Sequence, residues 1–243
     1  MPWITGRHGI VSALDRKNRG KLYLVRDSRN EDLAERAKRT GIPVVWTSHR
    51  EIRNLCGSSR VRGAAFLLDE ASARSEGIQK NLSAFLEETK ENERSLVLVL
   101  DHVKDPHNLG AIMRSADMFR ADLLILPERR SVQVSDTVAR TSAGAVSYVP
   151  VAVESNLSRA IDALKDGGYW IYAADMSGTS SYRNDFAEKT ALIVGSEGKG
   201  VSSLIKKKSD LLVGIPTEGH LDSLNVSVST AILLYEYRRR FSF

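Results

Sequence analysis

The 243-residue sequence predicts an α/β protein in two parts, a small mixed domain followed by a larger one built on a parallel sheet. Short apolar runs alternate with helical patterns along the whole chain. From Ser95 onward those runs are nearly continuous, as strands covered on both faces require. At 42% hydrophobic residues the chain is also long enough for two cores.

In the first part, Lys21-Leu22-Tyr23-Leu24-Val25 reads as a strand, Asn30 to Thr40 as a helix and Pro43-Val44-Val45-Trp46 as a second strand. Arg50 to Cys56 is a short helix, and Ala64-Ala65-Phe66-Leu67-Leu68 closes the unit. Residues 69–94 are rich in Glu, Lys, Asn and Ser, with one amphipathic piece around Ile78 to Leu86, and read as a linker. The second part opens with the strand Leu96-Val97-Leu98-Val99-Leu100 and a helix from Leu109. The strands Leu123–Leu126, Trp170–Ala173, Ala191–Val194 and Leu211–Ile215 follow, and a terminal helix runs to Arg240. The expected division is residues 1–70, a linker at 71–94, and 95–243.

Composition narrows the function classes. The single cysteine, Cys56, excludes a disulfide framework and any multi-cysteine zinc or iron–sulfur site. No apolar run approaches the roughly 20 residues of a membrane-spanning helix, and no signal-peptide core follows Met1, so a soluble cytoplasmic protein is expected. The net charge of +5 is unevenly spread: residues 1–63 hold 14 Lys and Arg against 6 acids, a balance of +8, which leaves −3 for the rest. A basic N-terminal third attracts a polyanion, unless it is simply a solvated face.

Gly195-Ser196-Glu197-Gly198-Lys199-Gly200 follows a buried strand, where an open α/β sheet binds ligands at its carboxyl edge. It is not a P-loop, because Gly200 is followed by Val201, and its glycine spacing is the reverse of a dinucleotide fingerprint. No G-x-S-x-G nucleophile elbow occurs. Two further segments look chemical. In Asn108-Leu109-Gly110-Ala111-Ile112-Met113-Arg114, Asn108 is a candidate helix cap and Arg114 lies about 140° round the helix from Leu109, at about 100° per residue. Gly110, four residues before Arg114, is expected to leave space beside the guanidinium. In Ser223-Leu224-Asn225-Val226-Ser227-Val228-Ser229, Asn225 or Ser227 caps the last helix. Taken singly, each segment has a plainer account as an exposed arginine, an ordinary turn or a cap.

Together the three segments, in order and spacing, resemble the motifs of the SpoU (TrmH) RNA 2′-O-ribose methyltransferases: Asn108-x-Gly110-x-x-x-Arg114, Val194-Gly195-Ser196-Glu197-Gly198-x-Gly200, and Ile215-Pro216 through Ser229 to Leu234-Tyr235-Glu236. The likeness covers residues 95–243. Gly6-Arg7-His8-Gly9-Ile10-Val11-Ser12-Ala13-Leu14 is similar to the opening of members with an N-terminal L30e/L7Ae-like α/β domain. Val103 to Asn108 and the overall length look most like the bacterial members that methylate a guanosine ribose of large-subunit (23S) rRNA.

The resemblance implies a C-terminal α/β-knot (SPOUT) domain with a deep trefoil knot, an exception to the rule against threading. It further implies binding of S-adenosylmethionine by Gly195, Glu197, Gly198, Gly200, Ile215, Leu224 and Val226. Arg114 is implied as the catalytic arginine, with Asn108, Glu197, Asn225 and Ser227 around it, and a homodimer is implied through the knot domain. An arginine hardly deprotonates in proteins, so Arg114 is expected to stabilise a developing alkoxide and clamp RNA rather than act as a base. Arg7, His8, Arg60 and Arg62 are the expected RNA backbone contacts. Where relatives often carry His-Gln-Gly before a strand, this chain has Val61-Arg62-Gly63. No metal is expected, and Asp101, His102, Asp105 and His107 read as loop residues. A tRNA ribose methyltransferase and a non-catalytic RNA-binding factor of the same fold remain the alternatives.

Overall fold

Alternation within each short strand decides how the first unit packs. The computed structural model describes residues 3–15, 18–57, 61–69, 80–129, 131–134, 136–220 and 223–241, and the chain divides after Gly77 into two units. In the first, β1 (Trp3–Ile4), β2 (Gly20–Val25), β3 (Val44–Thr47) and β4 (Ala64–Leu68) form a sheet of order β1-β4-β2-β3. β2 pairs parallel with β3 and antiparallel with β4. Leu22, Leu24 and Phe66 face α1 (Arg7–Asp15) and α2 (Glu31–Arg39), where Ile10, Leu14 and Leu33 complete a core. Tyr23, Val25 and Ala65 point the other way, onto Ile52 of α3 (His49–Cys56). This helix begins at Ser48, whose hydroxyl accepts from the Glu51 N–H at 3.2 Å, and ends at Gly57 with φ of 63°.

The second unit holds six strands: β5 (Ser95–Asp101), β6 (Leu123–Pro127), β7 (Val151–Glu154), β8 (Trp170–Ser180), β9 (Lys189–Gly195) and β10 (Leu211–Gly214). All pair in parallel, in the order β10-β8-β9-β5-β6-β7. On one face Leu96, Leu98 and Leu100 meet α5 (Pro106–Met118) and α9 (Val226–Arg240); on the other, Val97 and Val99 meet α4 (Leu82–Glu88), α7 (Leu157–Asp166) and α8 (Ser203–Lys208). Burial of β5 on both faces explains its unbroken apolar run.

Several expectations change. Leu82 and Phe85 of α4 are buried in the core of the second unit, so residues 80–94 belong to that unit rather than to a linker. Helix α5 starts earlier than expected. Asp105, not Asn108, is its cap, accepting from the His107 N–H at 2.9 Å with Pro106 in the first position, and Asn108 is thereby freed for another contact. Strand β8 runs seven residues past Ala173. At its C-terminus α9 ties back onto α5: Arg238 Nε donates to the Phe119 carbonyl at 2.5 Å, satisfying an end that α5 leaves open.

Gly110 is where α5 meets α6 (Asp136–Thr141). A Cβ there would lie 2.5 Å from Thr141 Cβ and 3.0 Å from the Ser142 nitrogen, so the bare backbone admits α6 instead of leaving space for the Arg114 guanidinium. Gly110→Ala is expected to destabilise the second unit by about 1–3 kcal/mol through overpacking, read from the urea midpoint of the purified variant.

Candidate active site

The carboxyl edges of β9 and β10 build the candidate site. β9 ends at Gly195, and the chain turns back at once: the Gly200 N–H donates to the Ser196 carbonyl at 2.8 Å. A Cβ on Gly195 would fall 1.9 Å from the Gly200 carbonyl carbon, so no other residue fits. Gly198 and Gly200 take φ of 79° and 63°, which places Glu197 at the tip of the returning loop.

Beside this loop lies a cavity of about 290 Å³, at the small end of the range typical of small-molecule sites. Gly195, Glu197, Gly198, Gly200, Ile215, Leu224 and Val226 all line it, so the structure gathers in one wall every residue that the resemblance assigns to the cofactor. The rest of the wall is mixed. Met176, Val213 and Leu233 supply apolar surface, while Thr217, Ser223 and Ser229 supply hydroxyls. A ligand with an apolar portion and several polar groups fits such a lining.

Three side chains meet at the Glu197 carboxylate. Its Oε1 accepts from Asn108 Nδ2 at 2.9 Å and from Asn225 Nδ2 at 2.7 Å, and Asn225 Nδ2 also reaches Asn108 Oδ1 at 3.0 Å. The Asn225 side-chain oxygen Oδ1 accepts in turn from the Ser227 N–H at 2.9 Å and from its hydroxyl at 2.6 Å, so the Asn225 amide caps α9 with its oxygen and holds Glu197 with its nitrogen. Asn108 is buried, whereas Glu197 and Asn225 are exposed, so the cluster opens to solvent on one side. Glu197 Oε2 has no hydrogen-bond partner among the described residues.

Arg114 is not part of this cluster. It lies six residues along α5, about 1.7 turns and about 120° round the helix from Asn108, exposed and without a hydrogen bond or ion pair to any described residue. The cavity wall does not include it either. Of the expected RNA contacts, Arg60 and the side chain of His8 lie outside the described residues, and Arg62 is exposed. Arg7 is already engaged: its guanidinium donates to the Arg29 carbonyl at 2.6 Å and to Asp32 at 2.5 Å, fastening α1 to the start of α2.

Asp175 and Lys206 escaped the sequence reading. They form an ion pair in the cavity wall, with the Ser177 hydroxyl donating to Asp175 Oδ1 at 2.6 Å. Asp175 lies in the part of β8 beyond Ala173, where Asp175, Ser177 and Gly178 interrupt the apolar run, and Lys206 lies in α8, which the sequence pattern does not mark. The Lys206 ammonium, and then the Ser177 donors, hold the Asp175 carboxyl down at about 2, against an ordinary 3.8.

A parallel sheet carrying a glycine-rich loop, a small-molecule cavity and an amide–carboxylate cluster at one carboxyl edge is the layout of an α/β ligand-binding domain. The adenosylmethionine-bound rRNA methyltransferase of Sinorhizobium meliloti shares the fold with a TM-score of 0.77 at 23% identity, over 99% of this chain and 88% of its own. The SpoU rRNA Methylase family model matches residues 95–235, and the chain belongs to that family. It is 36% identical to a putative TrmH family tRNA/rRNA methyltransferase of Staphylococcus haemolyticus, over 98% of this chain and 95% of that one. It is 38% identical to an uncharacterized tRNA/rRNA methyltransferase of Borreliella burgdorferi, over 91% and 98%. The protein is accordingly an RNA methyltransferase.

The low value at Asp175 fixes the sign of an acid-stability effect. Its contribution is complete above the unfolded value of 3.8 and is lost as pH falls through about 2. Lys206→Met removes the main cause and raises the folded value, so the acid-unfolding midpoint, followed by circular dichroism, is expected to move to higher pH.

Proposed function

We propose that the chain transfers the methyl group of S-adenosylmethionine to a ribose 2′-hydroxyl of RNA, a guanosine of large-subunit (23S) rRNA in the first instance. The observation that carries this reading is that Glu197 belongs both to the cavity wall and to the Asn108–Asn225 cluster, so a bound cofactor and an incoming hydroxyl meet at one residue. When bound, S-adenosylmethionine supplies an electrophilic sulfonium methyl. The chain must therefore position a weak nucleophile and assist loss of its proton.

The residues divide that work. The backbone of Gly195, Gly198, Gly200, Ile215 and Leu224, with Val226, holds the cofactor in the cavity. Glu197 Oε1 is saturated by its two amide donors, which leaves Oε2 as the acceptor for the hydroxyl hydrogen. Asn108, Asn225 and Ser227 keep that carboxylate aimed. Arg114 stabilises the charge developing on the ribose oxygen and grips the adjacent phosphate.

Because Arg114 stands apart from its own cluster, it acts in a homodimer, on the site of a second copy. The outer face of α5 and α9 supports that pairing. Met118, Val228 and Tyr235 are 70%, 47% and 44% exposed there, whereas Leu233 is buried in the core. The deep trefoil knot and a cytoplasmic location belong to the same reading. No helix among the described residues is long and apolar enough to cross a membrane. The rRNA choice is supported by the likeness to the Sinorhizobium enzyme, which extends through the first unit. A tRNA ribose is the second reading, because the sequence relatives are named tRNA/rRNA methyltransferases without a choice between the two.

Two measurements test this. Nucleoside mass spectrometry of rRNA and tRNA from a deletion strain should show loss of one 2′-O-methylguanosine from 23S rRNA; loss of a base methylation instead defeats the ribose assignment. With labelled S-adenosylmethionine, Arg114→Lys and Glu197→Ala should each lower kcat by about 100-fold or more while RNA is still bound. Near-normal transfer by Arg114→Lys would remove the guanidinium from the mechanism.

A further inference from the structure

The indole of Trp46, in edge strand β3, is 42% exposed. The Arg26 guanidinium lies over its ring at 5.7 Å from the centroid. Since β2 and β3 are parallel and β4 runs back against β2, Arg26 after β2, Trp46 in β3, Arg50 in α3 and Arg62 before β4 all come to one edge of this sheet. That edge is locked. The Val25 N–H donates to the Gly63 carbonyl at 2.8 Å, and the buried Asn30 amide donates to the carbonyls of Val25 and Gly63 at 3.0 and 3.2 Å.

The charges at this edge are open. Arg26, Arg50 and Arg62 are exposed and make no ion pair or hydrogen bond with a described residue. Of the nearby acids, Asp27 is paired with Arg29, whereas Glu51 accepts from the Thr47 hydroxyl and keeps its charge, so arginines outnumber free acids at this edge. A large aromatic face topped by a guanidinium, with two further unpaired arginines at the same sheet edge, within residues 1–63 of net charge +8, is complementary to nucleic acid and unlike a face built to be buried against the chain itself. The faces of bases in a duplex are covered by their neighbours. Only an unpaired base can lay its π-face on an indole, with arginines on the flanking phosphates.

We propose that Trp46 and Arg26 form a base-stacking platform for an unpaired nucleotide of the RNA, flanked by Arg50 and Arg62 as phosphate contacts. The inference rests on the RNA methyltransferase reading and adds to it a recognition element remote in sequence from the methyl-transfer motifs. It gives the first unit a preference for looped or single-stranded RNA.

Full-length wild type, Trp46→Ala and Trp46→Phe can be titrated with a short labelled single-stranded RNA and with the same sequence as a duplex, after circular dichroism has verified folding. Trp46→Ala should bind the single strand about tenfold more weakly, with duplex affinity and salt slope unchanged, and Trp46→Phe should retain most of the affinity. Arg50→Ala should weaken both forms and lower the salt slope by about one. In methyl transfer to deproteinised rRNA, Trp46→Ala should raise KM for RNA and leave kcat alone. Equal loss for both RNA forms, or no loss for either, overturns the platform and assigns Trp46 to packing or to a protein partner. A wild type that transfers methyl beside an unaffected Trp46→Ala sinks the platform alone, whereas a wild type that neither binds RNA nor transfers methyl sinks the functional reading itself.

Discussion

Glu197 Oε1 joins parts of the chain that are far apart in sequence. It accepts one amide from α5, 89 residues away, and another from the cap of α9, 28 residues away. A carboxylate oxygen can take two donors at full strength, and bonds to a charged acceptor are roughly twice as strong as neutral ones. The arrangement exists only because β9 ends in a loop that returns on itself, and the loop returns only because Gly195 lacks a Cβ. Cavity, cluster and the mouth between them therefore share one backbone constraint. A side chain at Gly195 would push the Gly200 segment away and carry Glu197 with it.

Much of this fold was legible because parallel strands buried on both faces leave a coarse signature. Leu96–Leu100 and Ala191–Val194 were readable as unbroken apolar runs, and both sit in the middle of the sheet. What was misread obeyed other physics. Asp105-Pro106 ends a strand loop and equally begins a helix, and the cap geometry decided for the helix. The edge strand β7 and the polar continuation of β8 carry little periodicity, since an edge has fewer neighbours to bury against. Helix α4 sat within a polar stretch whose two anchoring residues, Leu82 and Phe85, were too few to mark it as core.

The site was legible to a different depth. Glycines and capping residues constrain the backbone locally, so Gly195–Gly200 and Asn225–Ser227 could be placed from spacing. Pairings across the fold could not: that Asn108, Glu197 and Asn225 come together was implied by the family resemblance and not by spacing. Nothing in the sequence joins Asp175 to Lys206, or tells Asn108 the cap from Asn108 the amide donor to a carboxylate. Gly110 shows the same limit. Its spacing to Arg114 is a true helical stacking relation, yet the vacancy is filled by Thr141 from outside the helix.

Charge illustrates the limit most clearly, because a count is not a position. The +8 of residues 1–63 is a sum over arginines with different duties. Arg7 spends its guanidinium on the Arg29 carbonyl and Asp32, Arg29 on Asp27, and Arg36 on Asp15, all of them internal ties of the first unit. Such pairs on the surface contribute about 0–1 kcal/mol to stability and largely cancel the local field. What remains for a polyanion is the unpaired remainder, and at the carboxyl edge of β2 and β3 that remainder stands beside an aromatic ring. Long-range attraction follows from the total, whereas a docking place for RNA follows from which arginines are held in no ion pair.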